Sequence, residues 1–202
     1  NLNETITETN VDQSTEKKAF GFNPFRFFAT GADKALIKSR EQIDSIFKRT
    51  QIATMFAITF GYGSYYICRL ALSVVKKPLI DAGIFTPEQL GVIGSAIFYG
   101  YAMGKMTNGF LADHANIKRL FTFGLLCSAI INLVMGSMSG FWLFVILWGI
   151  NGWFQAFGAP SSMVAMVHWF SNHERGRRYG VWSASHSIGE GLTFAGTATL
   201  VS

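Results

Sequence analysis

Charged residues are scarce in this sequence: Asp, Glu, Lys and Arg together make up 14% of its 202 residues. Half of the residues are hydrophobic, a balance that is typical of membrane proteins rather than soluble domains. The only two cysteines, Cys68 and Cys127, fall in apolar stretches, so we expect free buried thiols and no disulfide framework. The first 49 residues are too polar to contain the apolar core of a signal peptide.

The usual marks of an enzyme are also lacking. The sequence contains no nucleophile–base arrangement, no metal-ligand spacing and no loop that would cradle a phosphate group. We therefore expect a protein that is not an enzyme and that binds no metal, cofactor or nucleic acid.

Five long apolar stretches follow the polar start of the chain, at 50–71, 90–112, 120–137, 141–170 and from 179 onward. Each is long enough to cross a bilayer as a helix, which takes about 20 mostly apolar residues. Thr86 and Gln89 fit a capping box at the start of the second span, and Pro160 predicts a kink in the fourth. The pattern predicts an all-α membrane protein with about five transmembrane helices.

A polar tail, residues 1–49, precedes these spans. We expect residues 1–19 to be disordered and 33–49 to form an amphipathic helix on a membrane surface or against the protein itself, with partner binding as the alternative. Thirteen of the seventeen Lys and Arg residues lie on the cytoplasmic side if the tail does. The positive-inside rule therefore predicts a multi-pass protein of the cell membrane with a cytoplasmic N-terminus.

The two ends of the sequence suggest that it is part of a longer protein. It does not begin with Met and it stops within an apolar stretch. We therefore expect residues 50–202 to be the first five helices, truncated in the fifth, of a longer protein. The alternative is a protein of five spans.

One arginine, Arg69, lies inside the first span. A charge at that depth costs at least about 2.5 kcal/mol, so it usually marks a functional site. Tyr62, Tyr66 and Arg69 share a helical face, and a guanidinium fork beside two phenols suits an anion such as a phosphate ester. The alternative is that Arg69 snorkels to the membrane interface between belt aromatics.

Two more basic side chains lie in spans. Lys105 is one turn from Tyr101, and His186 is one turn from Glu190. Three basic groups inside spans would attract a doubly charged anion, whereas a carboxylate would repel it unless it were paired or protonated. We therefore expect Glu190 to form an ion pair with Lys105 or His186 that rearranges when solute binds.

The loop GFLADHANIKR at 109–119 resembles a signature of the major facilitator superfamily. An acid at a helix end beside two cations can latch neighbouring helices on the cytoplasmic side, a role that would fall to Asp113, Lys118 and Arg119. A solvated polar turn with a chance aspartate is the alternative.

Further segments narrow this resemblance: GYGSYYICR at 61–69, YAMGKMTNGFLAD at 101–113, GWFQAFGAP at 152–160, MVHWFSNHERG at 166–176 and WSASHSIGEG at 182–191. Together they resemble the organophosphate:inorganic phosphate antiporter family, which includes glycerol-3-phosphate and hexose-6-phosphate transporters and a membrane sensor of external hexose phosphate. The resemblance covers residues 50–202 and implies a twelve-helix fold with internal repeats.

Particular roles follow from the resemblance. It implies that Arg69 binds phosphate and that six residues line or neighbour the central cavity: Tyr62, Tyr66, Tyr101, Lys105, Gln155 and His186. The implied function is exchange of an organic phosphate for inorganic phosphate by alternating access, with a second basic residue supplied by a C-terminal half. On this interpretation these 202 residues alone do not transport. For Gln155 a hydrogen bond to a neighbouring helix is an equally open interpretation.

Two other functions stay open. A membrane sensor of external hexose phosphate would signal to a partner protein, for which the N-terminal 49 residues are the only hint. A proton-coupled transporter of a different anion is favoured by His186 and Glu190. Glu190 also departs from the family pattern, which is glycine-rich at this point.

Overall fold

The computed structural model describes residues 28–29 and 39–201, with side chains described as far as residue 196. Within these ranges every regular element is an α-helix: α1 (Arg40–Asp81), α2 (Pro87–His114), α3 (Ile117–Gly136), α4 (Phe141–Gln155), α5 (Gly158–Trp169) and α6 (Asn172–Val201). The predicted disordered start and residues 33–38 of the predicted amphipathic segment lie outside the described residues, whereas the rest of that segment is helical from Arg40 onward.

Helix α1 is much longer than the first predicted span. It begins at Arg40, so the described end of the tail continues into the span without a break. The ring of Phe47 lies 5.5 Å from that of Trp169, which places this end of α1 against the protein itself. Helix α1 also continues past the end of the first predicted span, through the polar residues 73–81, because lysine is a good helix former and Pro78 disturbs only the last turns.

The start of α2 is the predicted capping box. The Thr86 hydroxyl oxygen accepts from the Gln89 backbone N–H at 3.3 Å, and the Thr86 backbone N–H donates to Gln89 Oε1 at 3.0 Å. Pro87 occupies the first helical position, where its missing N–H costs nothing. A hydrogen bond with Thr86 also holds the pKa of the exposed Glu88 carboxyl below its ordinary value.

Helices α4 and α5 together correspond to the fourth predicted span. The helix, though not the chain, is interrupted between them at Ala156 and Phe157. This break lies within one turn before Pro160, where the sequence predicts a kink. Pro160 itself is in the first turn of α5, where the N–H groups have no partner within the helix.

The surface of the bundle is apolar. Within the described residues, Ile117–Gly136 and Phe141–Trp169 are long and apolar enough to cross a membrane by length and composition. Large hydrophobic side chains also face outward on the other long helices, for example Phe60, Met106 and Leu192, which are 71%, 84% and 61% exposed. Such a surface would be unfavourable in water and is suited to lipid.

Two apolar clusters lie at opposite ends of the bundle. The first contains Leu72, Ile93, Ile97, Ile131 and Trp148, and the second contains Met55, Ile58, Tyr62, Met166 and Trp182. On each of the first four helices, a polar residue lies between the cluster residues and the middle of the bundle. Arg69, Lys105, Ser128 and Asn151 therefore lie at intermediate depth.

Glycines decide which helices pair closely. Helix α2 packs mainly on α4, and a Cβ atom at Gly100 would clash with the Gly149 carbonyl group. Helix α1 packs mainly on α6, where a Cβ atom at Gly189 would lie 2.6 Å from the Gly63 oxygen. Small residues permit this close approach of backbones. Helices α1 and α2, in contrast, barely touch, which leaves room between them for large side chains.

Candidate functional site

Two cations from α1 and α2 lie beside a single aromatic ring. The guanidinium carbon of Arg69 is 4.2 Å from the centroid of the Tyr101 ring, and Lys105 Nζ is 4.9 Å from the same centroid. Cations are attracted to the electron-rich ring face, so Tyr101 can hold two like charges near each other. Within the described part of the chain neither cation forms an ion pair with a carboxylate. The two cations therefore present unneutralised positive charge to an anion.

The site continues from α1 toward α6. The Arg69 guanidinium carbon lies 5.7 Å from the centroid of Tyr66. The Tyr66 ring is 5.3 Å from the His186 ring and 5.5 Å from the Tyr62 ring. Six of the seven predicted solute-binding residues are thus connected, and we call them the cation–aromatic group: Tyr62, Tyr66, Arg69, Tyr101, Lys105 and His186.

Gln155, the seventh, contacts a neighbouring helix. Its Nε2 donates to Ser128 Oγ at 3.1 Å, and Ser128 Oγ donates to Asn151 Oδ1 at 2.6 Å. Gln155 is 4% exposed, and the other two side chains are completely buried. This is the interhelical hydrogen bond that the sequence left open as the second interpretation. Ser128 and Asn151 were not predicted, although polar side chains inside apolar spans are the signal that could have found them.

Replacement of Ser128 with alanine is expected to lower the melting temperature of the detergent-solubilised full-length protein by several degrees. The substitution removes the partner of Gln155 Nε2 and of Asn151 Oδ1, and an unpaired buried polar group costs about 1–3 kcal/mol. Ser137→Ala is the control, since that exposed hydroxyl donates only to the Val134 carbonyl oxygen in the last turn of α3. Equal effects of the two substitutions would contradict this role of Ser128.

Glu190 lies one turn beyond His186 on α6 and is exposed. In the described part of the chain it forms no ion pair with Lys105 or His186. Its proposed ion pair with one of these groups stays a prediction. No cluster of three or more metal-ligating side chains occurs within the described residues.

The predicted cytoplasmic latch lies around the turn between α2 and α3. Asp113 is near the end of α2, Lys118 and Arg119 are in the first turn of α3, and all three are exposed. Asn116 fixes the turn, because its Oδ1 accepts from the Arg119 backbone N–H at 3.2 Å. A latching role of these charges stays a prediction.

Two aromatic residues beside the cation–aromatic group were not predicted as site residues. Trp182 is 5% exposed, and its ring lies 4.4 Å from that of Tyr62. Its spacing of one turn from His186 was the available signal. Tyr65 is 2% exposed, and its hydroxyl donates to the Phe121 carbonyl oxygen at 2.8 Å, which ties α1 to α3. Tyr65 is also one helical turn from Arg69 in the sequence, so spacing alone did not separate this structural tyrosine from Tyr66.

Comparison with known proteins gives related transporters and a sensor. The probable hexose phosphate transport protein of Chlamydia muridarum is 34% identical over 171 residues, 85% of this chain and 36% of that protein. The glycerol-3-phosphate transporter of Haemophilus influenzae is 37% identical over 153 residues, 74% of this chain and 32% of that protein. The membrane sensor protein UhpC of Escherichia coli is 25% identical over 166 residues, 82% of this chain and 38% of that protein.

The chain thus spans about a third of the length of these curated relatives. Their names confirm the resemblance drawn from the sequence motifs, which pointed to the same group of transporters and sensors. The profile of the Major Facilitator Superfamily matches residues 51–202, which include every helix from early in α1 onward. The chain belongs to the Major Facilitator Superfamily.

Proposed function

We propose that the protein is a secondary transporter that exchanges an organic phosphate, a hexose 6-phosphate or glycerol 3-phosphate, for inorganic phosphate. The observation that carries the proposal is the placement of Arg69 and Lys105 beside the one ring of Tyr101 without an acidic partner in the described part of the chain. Positive charge at this depth is costly, and a phosphate dianion would offset the cost.

The chemistry of each side chain fits a phosphate group. The planar guanidinium of Arg69 can donate to two phosphate oxygens at once, whereas the Lys105 ammonium acts as a mobile point charge. The Tyr66 and Tyr101 rings beside the guanidinium group each carry a hydroxyl, which can also donate a hydrogen bond. No covalent step is required, because a solute that binds two conformations unequally is enough to shift their populations.

The names of the relatives support the same class of solute. The two transporters described above are named for hexose phosphate and for glycerol 3-phosphate, both of which are phosphorylated.

The basic groups at the turns before α3 and α6 support a cytoplasmic N-terminus by the positive-inside rule, because thirteen of the seventeen Lys and Arg residues then face the cytosol.

Proteoliposomes that contain the full-length protein and internal phosphate are expected to take up labelled external phosphate. Glucose 6-phosphate or glycerol 3-phosphate should compete with the label, and glucose, which lacks the phosphate group, should not. Uptake that instead requires a proton gradient would favour the proton-coupled alternative. Binding of glucose 6-phosphate without any exchange by a folded protein would refute the antiporter and favour the sensor.

A further inference from the structure

The indole N–H of Trp182 is a buried donor with no acceptor in the described part of the chain. The side chain is 5% exposed, and its ring packs between Tyr62 at 4.4 Å and Tyr179 at 5.5 Å between centroids. Buried indole N–H groups usually find a partner, so an unpaired one beside a candidate binding site requires an explanation.

The Trp182 ring lies at a distance from the cations, toward the N-terminal ends of α1 and α6. Trp182 precedes His186 by one turn of α6, and Tyr62 precedes Tyr66 by one turn of α1. The Tyr62–Trp182 contact therefore lies one turn farther toward the N-terminal ends of both helices than the Tyr66–His186 contact. Along α1, Tyr62 and Arg69 are about 10 Å apart at 1.5 Å per residue. A hexose attached to a phosphate at Arg69 would extend farther from the guanidinium group toward these rings than inorganic phosphate can.

We propose that Trp182 recognises the organic part of the solute, an inference that rests on the proposed function. The indole N–H donates to a solute hydroxyl, and the rings of Tyr62 and Trp182 pack against the apolar C–H surface of the same group. In the conformation described here the neighbouring rings cover the donor, so Tyr62 must turn aside when solute enters. Organic phosphates would use this contact, and inorganic phosphate would bind without it.

The test compares binding of labelled inorganic phosphate and labelled glucose 6-phosphate to the full-length protein in detergent. Trp182→Phe keeps an aromatic ring and removes the donor. We expect it to weaken glucose 6-phosphate binding by about 3- to 10-fold, the value of one neutral hydrogen bond, and to change phosphate binding less than twofold. Incorporation of benzothienylalanine at position 182, which preserves the bicyclic shape without the N–H, should give the same result and covers the case in which the phenylalanine variant does not fold.

Trp169→Phe is the matched control, because Trp169 packs against the same apolar cluster and lies 5.5 Å from Phe47 rather than beside Tyr62. We expect it to change neither affinity. If substitution of Trp182 weakened the binding of both ligands equally, its role would be structural. If it weakened the binding of neither, Trp182 would make no contact with the solute. Either result would overturn the inference. If the unsubstituted protein bound neither ligand, the proposed function would fail as well. If it bound phosphate normally but Trp182 had no effect on glucose 6-phosphate, only the role of Trp182 would fail.

Discussion

Phosphate exchange by the full-length protein is expected to fall by about 100-fold or more when Arg69 is replaced with alanine. The guanidinium group can form two charge-assisted hydrogen bonds to one phosphate, and such bonds contribute about 1.5–3 kcal/mol each. Its loss also leaves Tyr101 with one cation instead of two. The measurement is the rate of labelled phosphate exchange in proteoliposomes, normalised to the amount of folded protein.

Two further substitutions make the result specific. Arg69→Lys keeps the charge but not the fork, so we expect an intermediate loss of about 10-fold. Arg40→Ala removes an exposed arginine at the start of the same helix and should leave exchange unchanged. If the alanine variant at position 69 exchanged phosphate as fast as the variant at position 40, then Arg69 would be a snorkelling residue and the proposed site would be wrong.

Replacement of Gly100 with alanine is expected to lower the melting temperature of the detergent-solubilised full-length protein by several degrees. A Cβ atom at this position would clash with the Gly149 carbonyl group, which belongs to the backbone and cannot rotate away. Helices α2 and α4 would have to separate along their closest contact. Overpacking of this kind costs about 1–3 kcal/mol, which corresponds to several degrees in melting temperature.

Gly91→Ala serves as the matched control on the same helix. No atom lies within 4 Å of a Cβ placed there, and alanine is the better helix former by about 1 kcal/mol. We therefore expect thermal unfolding to shift upward or not at all for Gly91→Ala and downward for Gly100→Ala. Shifts of equal size in the same direction would show that the close approach of α2 and α4 does not depend on Gly100.

The parts of the site that the sequence predicted are those encoded along a single helix. An arginine in an apolar stretch is visible without any knowledge of the fold, and helical periodicity is enough to put Tyr62 and Tyr66 on its face. The capping box at Thr86 is equally local. Because these features depend only on neighbours within a turn or two, the sequence was enough to predict their geometry, while the binding role of Arg69 and the tyrosines stays a prediction.

The features that escaped prediction depend on contacts between distant segments. The partner of Gln155 is Ser128, on another helix, and no periodicity within α4 distinguishes that bond from contact with solute. The same holds for the pairing of α1 with α6, which is set by two glycines far apart in the chain, Gly63 and Gly189. The burial of the Trp182 donor likewise arises only when α1 and α6 come together.

The interruption at Ala156 and Phe157 gives the fourth span a joint. Helix α4 packs mainly on α2 and less on α3, whereas α5 packs on α3, α1 and α2, so α1 contacts this span chiefly through α5. Gly158, just after the joint, faces the rings of Tyr62 and Tyr65 on α1. A continuous helix would have to break backbone hydrogen bonds to let these neighbours tilt apart, but a span already divided here can bend without that cost. Displacement of the α1 tyrosines by a solute would therefore be transmitted to α5 before it reached α4.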